Sequence, residues 1–136
     1  MTKKVLIVDD SYIMRTLIKS ILTSDKEFEI VGDAQDGVVA LEQIRKLKPD
    51  VVMLDIEMPN MDGIECLKKI TLISRAKVII ISSVAQTGSP RALQARQLGA
   101  FEVLSKPSGA MSLDLTEKRG SEIVQASRRA CGLPAN

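Results

Sequence analysis

The fold is decided by residues 51–63, which read VVMLDIEMPNMDG. The first four residues are apolar, and a short apolar run bounded by turn residues predicts a buried strand. Asp55 follows the strand directly, and the chain then meets Pro59 and Gly63, which both break regular structure. The acid therefore either starts a turn or is held by the strand in a particular place.

Four similar apolar segments surround this one, at residues 4–8, 28–32, 78–81 and 101–104. Between them, apolar residues recur at the three- and four-residue spacing of amphipathic helices, and a last helix is predicted from about Leu113 to Ala130. Strands that alternate with helices predict an α/β fold, a doubly wound five-stranded parallel sheet with helices on both faces. The length of 136 residues favours one domain, which we assign to residues 1–130. Residues 131–136 are interpreted as a frayed tail or the start of an interdomain linker.

The composition excludes several classes of function. With 2% aromatic residues and a net charge of +2, nothing favours a nucleic-acid partner. Neither a membrane-spanning run nor a signal peptide is evident, and the two cysteines fit no zinc or redox spacing, so a cytoplasmic protein without membrane insertion is expected. The absence of histidine excludes histidine-containing catalytic triads, histidine zinc sites and histidine general bases.

Polar residues follow the strands at the edge where α/β sheets bind ligands. Asp9 and Asp10 follow the first strand, Asp55 the third, Ser82 the fourth and Lys106 the fifth. Each residue alone is more often a helix cap, a turn residue or a surface group. If the first and third strands are neighbours, however, three carboxylates share one pocket and a hydroxyl and a lysine face them.

Three neighbouring carboxylates repel one another unless a cation lies between them. Oxygen ligands without His or Cys favour Mg²⁺ over zinc, and Mg²⁺ keeps room for phosphate oxygens. Because an aspartate can attack phosphorus and form an aspartyl phosphate, the pattern predicts a phosphoryl-accepting magnesium site.

These residues resemble the receiver domain of two-component response regulators. The matching features span residues 3–107: the acidic pair, the segment from Asp55 to Gly63, Ser82, and Lys106 followed by Pro107. The resemblance implies a flavodoxin-like sheet with strand order 2-1-3-4-5. It also implies a phosphorylation-controlled regulatory domain of a signal-transduction system.

The resemblance also implies a role for each residue. Asp55 would be the phosphoacceptor and would receive the phosphoryl group from a phosphohistidine on a partner sensor kinase. The partner would supply the histidine, which explains why this chain needs none. Mg²⁺ would be bound by Asp10 directly, by Asp9 through water or as a neighbouring acid, by Asp55, and by the backbone carbonyl of Glu57. The catalytic set would be completed by Lys106, paired with the phosphoryl charge, and by Ser82, hydrogen-bonded to a phosphoryl oxygen. A cis peptide is expected between Lys106 and Pro107.

Two positions depart from the common receiver pattern. Where many receivers carry a Tyr or Phe that turns inward during switching, this chain has Val103. Phe101 lies two residues earlier, and at period two it should share the sheet face of Val103. Glu57 replaces a common Asn, and its acid is expected to affect access of water or a phosphatase to the phosphoryl group.

A narrower resemblance is to the receiver domain of chemotaxis protein-glutamate methylesterases. It rests on Ser-Ser at residues 82–83, Lys-Pro-Ser-Gly at 106–109 and Ser-Leu-Asp at 112–114. It implies a sensor histidine kinase of a chemotaxis system as partner and a C-terminal methylesterase domain in cis. This chain has no Gly-x-Ser-x-Gly elbow and no histidine, so it has no hydrolase centre of its own.

Several alternatives stay open at this point. The chain could be a stand-alone single-domain response regulator that acts through protein–protein contacts. It could also be an aspartate-nucleophile phosphatase, but Asp55 is followed two residues later by Glu57 rather than a second aspartate. A nucleotide-binding module would be expected to carry a glycine-rich phosphate loop, which is missing. A degenerate receiver is disfavoured because all five key residues are present.

Overall fold

A computed structural model describes residues 2–58, 60–83, 88–107 and 113–135, with the backbone alone for residues 113–116. Five strands and five helices alternate along the chain. The strands are β1 (Lys3–Val8), β2 (Phe28–Ala34), β3 (Val51–Leu54), β4 (Lys77–Ser82) and β5 (Glu102–Ser105). The helices are α1 (Tyr12–Thr23), α2 (Gly37–Leu47), α3 (Gly63–Ile73), α4 (Pro90–Gln97) and α5 (Leu113–Ala130).

The five strands form one parallel sheet in the order β2-β1-β3-β4-β5. Both the α/β class and the strand order predicted from the sequence are confirmed. The order reverses between β1 and β3, because the chain leaves β1 toward α1 on one face of the sheet and leaves β3 toward α3 on the other. A crevice lies between these two connections, at the carboxyl ends of the strands. Asp55 is the first residue after β3 and therefore lies at this crevice.

Alternation along β3 explains why its four residues are all apolar. Val52 and Leu54 pack on one face, against α2, α3 and α4, whereas Val51 and Met53 pack on the other, against α1 and α5. All four are at most 1% exposed. Because successive side chains of a strand point to opposite faces, a central strand covered on both sides must be apolar throughout.

β2 continues two residues beyond its predicted end at Gly32. The pairing of β1 with β2 slips by one residue at this point, since Val5 faces Ile30 whereas Leu6 faces Gly32. A glycine within a strand commonly marks such a bulge. Pairing resumes after the bulge, and Asp9 N donates to Ala34 O at 3.0 Å, which extends the strand to Ala34.

The expected cis peptide between Lys106 and Pro107 is wrong for this structure, because the described part of the chain contains no cis peptide bond. X-Pro bonds favour the trans isomer by about 0.5–1 kcal/mol, so trans is the default where no contact selects cis. The backbone of Lys106 continues the pairing of β4 with β5, since Lys106 N donates to Ser82 O at 2.7 Å.

Within the described ranges, no helix combines the length and the apolar character that crossing a membrane requires.

Candidate functional site

Asp9, Asp10 and Asp55, here called the acid cluster, meet at the carboxyl edge of β1 and β3. One carboxylate oxygen from each lies within 4.8 Å of the others. The meeting follows from strand pairing, since Val8 is in register with Leu54 and Asp55 N donates to Val8 O at 3.0 Å. The prediction that the first and third strands are neighbours is therefore confirmed, and their three acids lie together at one edge of the sheet.

Two acids of the cluster are buried. Asp9 is 1% exposed and Asp55 is 4% exposed, whereas Asp10 faces solvent. Asp9 does not cap α1, because Ser11 does so by accepting from Met14 N. Instead, Asp9 Oδ1 accepts from Ser11 N at 2.9 Å, which fixes its carboxylate against the turn that leaves β1. The alternative that the acidic pair serves only as a helix cap is thus excluded by the geometry.

Lys106 supplies the positive charge at the floor of the site. Its Nζ lies 3.1 Å from Asp9 Oδ2 and 3.2 Å from Asp55 Oδ2, and its side chain is 21% exposed. The position is set by β5, which ends at Ser105, paired with Ser82 at the end of β4. One lysine therefore bridges the two buried acids.

The electrostatics of the site show that this one lysine leaves negative charge uncompensated. Burial, with a further contribution from Asp9, raises the pKa of Asp55 to about 6 despite the opposing charge of Lys106. Burial also raises the pKa of Asp9. Burial disfavours the charged form of Lys106, but Asp55 and Asp9 outweigh it and raise the lysine pKa. Three carboxylates opposed by one ammonium group favour a bound cation.

The donor set fits Mg²⁺. The cluster offers only carboxylate oxygens, which hard divalent cations prefer, and it opens into a pocket of about 530 Å³. The pocket is lined by Asp10, Asp55, Glu57, Met58, Ser82, Ser83 and Lys106. An ion bound to the cluster would thus have space for water or phosphate oxygens on its open side.

Ser82 ends β4 with its side chain in this pocket. The residue is 1% exposed, and its Oγ has no hydrogen-bond partner among the described residues. A buried hydroxyl without a partner costs free energy, and a ligand oxygen in the pocket would provide one. The structure therefore places the predicted metal- and phosphoryl-binding residues at one edge: the acid cluster, Glu57, Ser82 and Lys106.

Val103, predicted at the switch position, is a core residue. It is 6% exposed and packs in the same cluster as Ala92 and Ala95 of α4. Phe101 lies before β5 rather than in it and is 41% exposed. It is thus no buried counterpart of Val103, although the sequence pattern suggested that the two share a face.

Sequence reasoning missed Arg15, which contacts the turn that carries the acidic pair. Its Nη1 donates to Asp9 O at 2.7 Å, and its Nε lies 3.4 Å from Asp33 Oδ2 at the end of β2. The available signal was its helical position, since Arg15 lies three residues before Ile18 on the buried face of α1. A charged residue on such a face needs a partner, but the sequence does not show which one.

Comparisons with known proteins agree with this geometry. The family model for the response regulator receiver domain matches residues 5–116. A protein-glutamate methylesterase/protein-glutamine glutaminase 1 of Syntrophomonas wolfei is 52% identical over 113 residues, which are 83% of this chain and 32% of that protein. Its counterpart in Pyrococcus horikoshii is 40% identical over 131 residues, 96% of this chain and 35% of that protein. The chain thus spans about a third of the length of these curated relatives.

Solved structures show the same likeness. The response regulator domain of Thermotoga maritima CheB superimposes with a TM-score of 0.86 at 38% identity, covering 98% of this chain and 99% of that one. A chain in the crystal structure of the CheA3 P1 domain in complex with CheY6 from R. sphaeroides gives a TM-score of 0.79 at 40% identity, covering 96% and 97% of the two chains.

Proposed function

The chain belongs to the response regulator receiver domain family, and on that premise we propose that it accepts a phosphoryl group on Asp55. The observation that carries this proposal is the placement of Asp55: a 4% exposed carboxylate beside two other acids, with Lys106 Nζ at 3.2 Å. A buried acid with a perturbed pKa and a charged partner in a pocket is typical of a reactive group. A turn residue would need none of these neighbours.

In the proposed reaction, a carboxylate oxygen of Asp55 attacks the phosphorus of a phosphohistidine on a partner kinase. The new oxygen–phosphorus bond forms as the phosphorus–nitrogen bond breaks, and the imidazole nitrogen leaves with the electron pair and takes up a proton. Lys106 pairs with the transferred charge from the floor of the pocket. Ser82 Oγ, which has no partner among the described residues, gains a phosphoryl oxygen as acceptor for its hydroxyl.

We assign the Mg²⁺ ligands to the acid cluster and the backbone carbonyl of Glu57. When bound, the ion supplies positive charge that stabilises the phosphoryl oxygens. The residues of this chain orient the reaction: Asp9 and Asp55 are fixed by Lys106, and Asp55 Oδ1 accepts from Glu57 N at 3.2 Å.

Phosphorylation would act by shifting a conformational equilibrium. Moving Ser82 toward the phosphoryl group would displace the end of β4. Because Val103 is small and lies in the same hydrophobic cluster as Ala92 and Ala95 of α4, we propose that the shift is transmitted through backbone and helix packing rather than through a rotating aromatic ring.

The partners we propose follow from the relatives. A histidine kinase of a chemotaxis system would supply the phosphoryl group, as suggested by the likeness to a chain crystallised with a CheA3 P1 domain. A methylesterase domain would follow in cis, because the curated relatives are protein-glutamate methylesterases about three times as long. We assign residues 1–130 to the receiver and residues 131–136 to the start of the connection, in a cytoplasmic protein.

The connection begins close to the receiver. Cys131 and Leu133 pack against the core face shared by α1 and α5, and Arg128 Nε donates to Pro134 O. The second candidate, a stand-alone response regulator, gains no specific support from these contacts.

Incubation with acetyl phosphate and Mg²⁺, followed by intact-mass spectrometry, tests the proposal. We expect one phosphoryl group per chain with Mg²⁺ and none with EDTA. If the chain takes up no phosphoryl group from acetyl phosphate or from a phosphorylated P1-type domain, the proposal is wrong.

Removing the cation of Lys106 by Lys106→Ala is expected to destabilise the protein without divalent ions. Breaking a fully buried ion pair costs about 3–5 kcal/mol, and because Lys106 is 21% exposed we expect about 1–3 kcal/mol here. Mg²⁺ should recover more stability in this variant than in the wild type, since the acid cluster then has no ammonium group beside it. Urea unfolding in EDTA and in Mg²⁺ measures both effects.

An exposed lysine of α3 provides the control, as Lys68→Ala should behave like the wild type in both buffers. If Lys106→Ala were as stable as the wild type in EDTA, Lys106 would not compensate the negative charge of the acid cluster.

A further inference from the structure

The loop between β3 and α3, described at residues 55–58 and 60–62, is fixed where it leaves and where it rejoins regular structure. Gly63 N donates to Ile56 O at 2.6 Å, which closes the loop on itself. At its start, Glu57 N donates to Asp55 Oδ1. The backbone of Glu57 is therefore linked directly to the acid, and its orientation depends on how the rest of the loop is held.

The outer part of the loop is held by a second element, the N-terminus of α2. Asn60 Nδ2 donates to Asp36 Oδ2 at 3.0 Å. The other oxygen of the same carboxylate, Asp36 Oδ1, accepts from Val39 N at 2.9 Å and caps α2. Asp36 is 6% exposed, so the carboxylate joins loop and helix in a largely buried position.

Two features show that this contact shapes the loop. Asn60 has a φ of 68°, in the left-handed region that Asn tolerates better than most residues, so its backbone makes the sharp bend and its side chain makes the link. The amide of Val39 and the side chain of Asn60 lower the pKa of Asp36, so the acceptor is ionised at neutral pH. Hydrogen bonds to charged groups are roughly twice as strong as neutral ones.

We propose that Asp36 and Asn60 are positioning residues for cation binding. Their hydrogen bond holds the loop so that the Glu57 carbonyl can join the acid cluster as a ligand. Neither residue belongs to the acid cluster, and neither lines the pocket. This inference rests on the proposed function, because it assigns the loop a part in the same magnesium site.

The main test is Asn60→Gly, because glycine keeps the left-handed backbone accessible and removes only the amide donor. Calorimetric titration of the full chain with Mg²⁺ alone should give a dissociation constant about three- to tenfold higher than that of the wild type. With acetyl phosphate, the Mg²⁺ concentration at half-maximal rate should rise by the same factor, whereas the rate at saturating Mg²⁺ should change less than twofold.

The swapped pair, Asp36→Asn with Asn60→Asp, separates positioning from charge. It keeps the net charge of the pair and reverses donor and acceptor, so the amide of residue 36 can donate to the carboxylate of residue 60. Asn is also as good a helix cap as Asp. We expect the swap to bind Mg²⁺ within about twofold of the wild type.

Lys48→Gly controls for the added glycine. Lys48 has a φ of 49° and caps the other end of α2, so this variant places glycine at the second described non-glycine position with a positive φ. It should bind Mg²⁺ as the wild type does. If thermal unfolding shows that Asn60→Gly is poorly folded, Asp36→Ser replaces it. Serine keeps a helix cap but removes the carboxylate that accepts from Asn60, so this variant is also expected to bind Mg²⁺ more weakly.

The outcomes distinguish a failure of the positioning role from a failure of the proposed function. If the wild type binds Mg²⁺ and Asn60→Gly binds it equally well, the positioning role is wrong while the proposed function stands. A swapped pair as weak as Asn60→Gly would also overturn it, because the hydrogen bond would then not be what matters. If the wild type binds no Mg²⁺, the proposed function fails and this inference fails with it.

Discussion

Asp55→Asn is expected to abolish phosphorylation, from about one phosphoryl group per chain to none. An amide cannot form the acyl phosphate, and among the acids whose side chains the structure describes no other has the same combination of burial, lysine contact and open pocket. The substitution keeps the shape of the side chain and removes one of two neighbouring buried acids, while Lys106 keeps its contact with Asp9. The variant should therefore stay folded. Intact-mass spectrometry after acetyl phosphate and Mg²⁺ measures the result.

Asp62→Asn is the matched control, since it changes another aspartate of the same loop. Asp62 caps α3, its side chain is 47% exposed, and it does not line the pocket. Asn caps helices as well as Asp does, so this variant should be phosphorylated like the wild type. Full phosphorylation of Asp55→Asn would mean that another residue is the acceptor.

Gly63→Ala is expected to cost about 2–3 kcal/mol or more of folding stability, at the upper end of overpacking effects. A Cβ at this position would lie 2.3 Å from Asp55 O and 2.5 Å from Ile56 Cα. Both are backbone atoms, so the clash cannot be relieved by rotating a side chain. Because the displaced backbone carries Asp55, phosphorylation at low Mg²⁺ should fall as well. Urea unfolding measures the change in stability, and the acetyl phosphate assay at low Mg²⁺ measures the change in phosphorylation.

Gly120→Ala provides the comparison for this variant. Gly120 lies within α5, and its added Cβ would come no closer than 3.6 Å to Ile21 side-chain atoms, an ordinary contact. Alanine is favoured over glycine in a helix, so we expect a gain of up to about 1 kcal/mol. A Gly63→Ala variant as stable as the wild type would show that the loop can move away from Asp55 at little cost.

Much of the fold and of the site could be predicted from the sequence because both depend on strand position. The apolar segment Val51–Leu54 indicated a buried strand, and the strand order and the receiver family that the resemblance implied are confirmed. Once β1 and β3 are neighbours, Asp9 and Asp55 must meet at one edge. The finer resemblance to methylesterase receivers, seen in the residues after β4 and β5, is confirmed by the curated relatives.

The parts that the sequence could not supply depend on contacts between distant loops. Nothing in the local pattern pairs Asn60 with Asp36, 24 residues earlier, because either residue is ordinary in a turn or a cap. Arg15 likewise gives no sign of which backbone carbonyl it will contact. Residues 108–112 lie outside the described residues, and residues 113–116 are described by their backbone alone, so the Ser-Gly match at 108–109 and the Ser-Leu-Asp match at 112–114 stay sequence observations.

The central claim, that Asp55 carries the phosphoryl group, is tested most directly by trapping the modified residue. Borohydride reduces an aspartyl phosphate to homoserine, so the protein can be phosphorylated with acetyl phosphate and Mg²⁺, reduced, digested and sequenced by mass spectrometry. We predict homoserine at position 55 and unchanged aspartate at positions 9, 10 and 62. Homoserine at any other position, or at none in a sample that has taken up phosphoryl groups, would contradict the account.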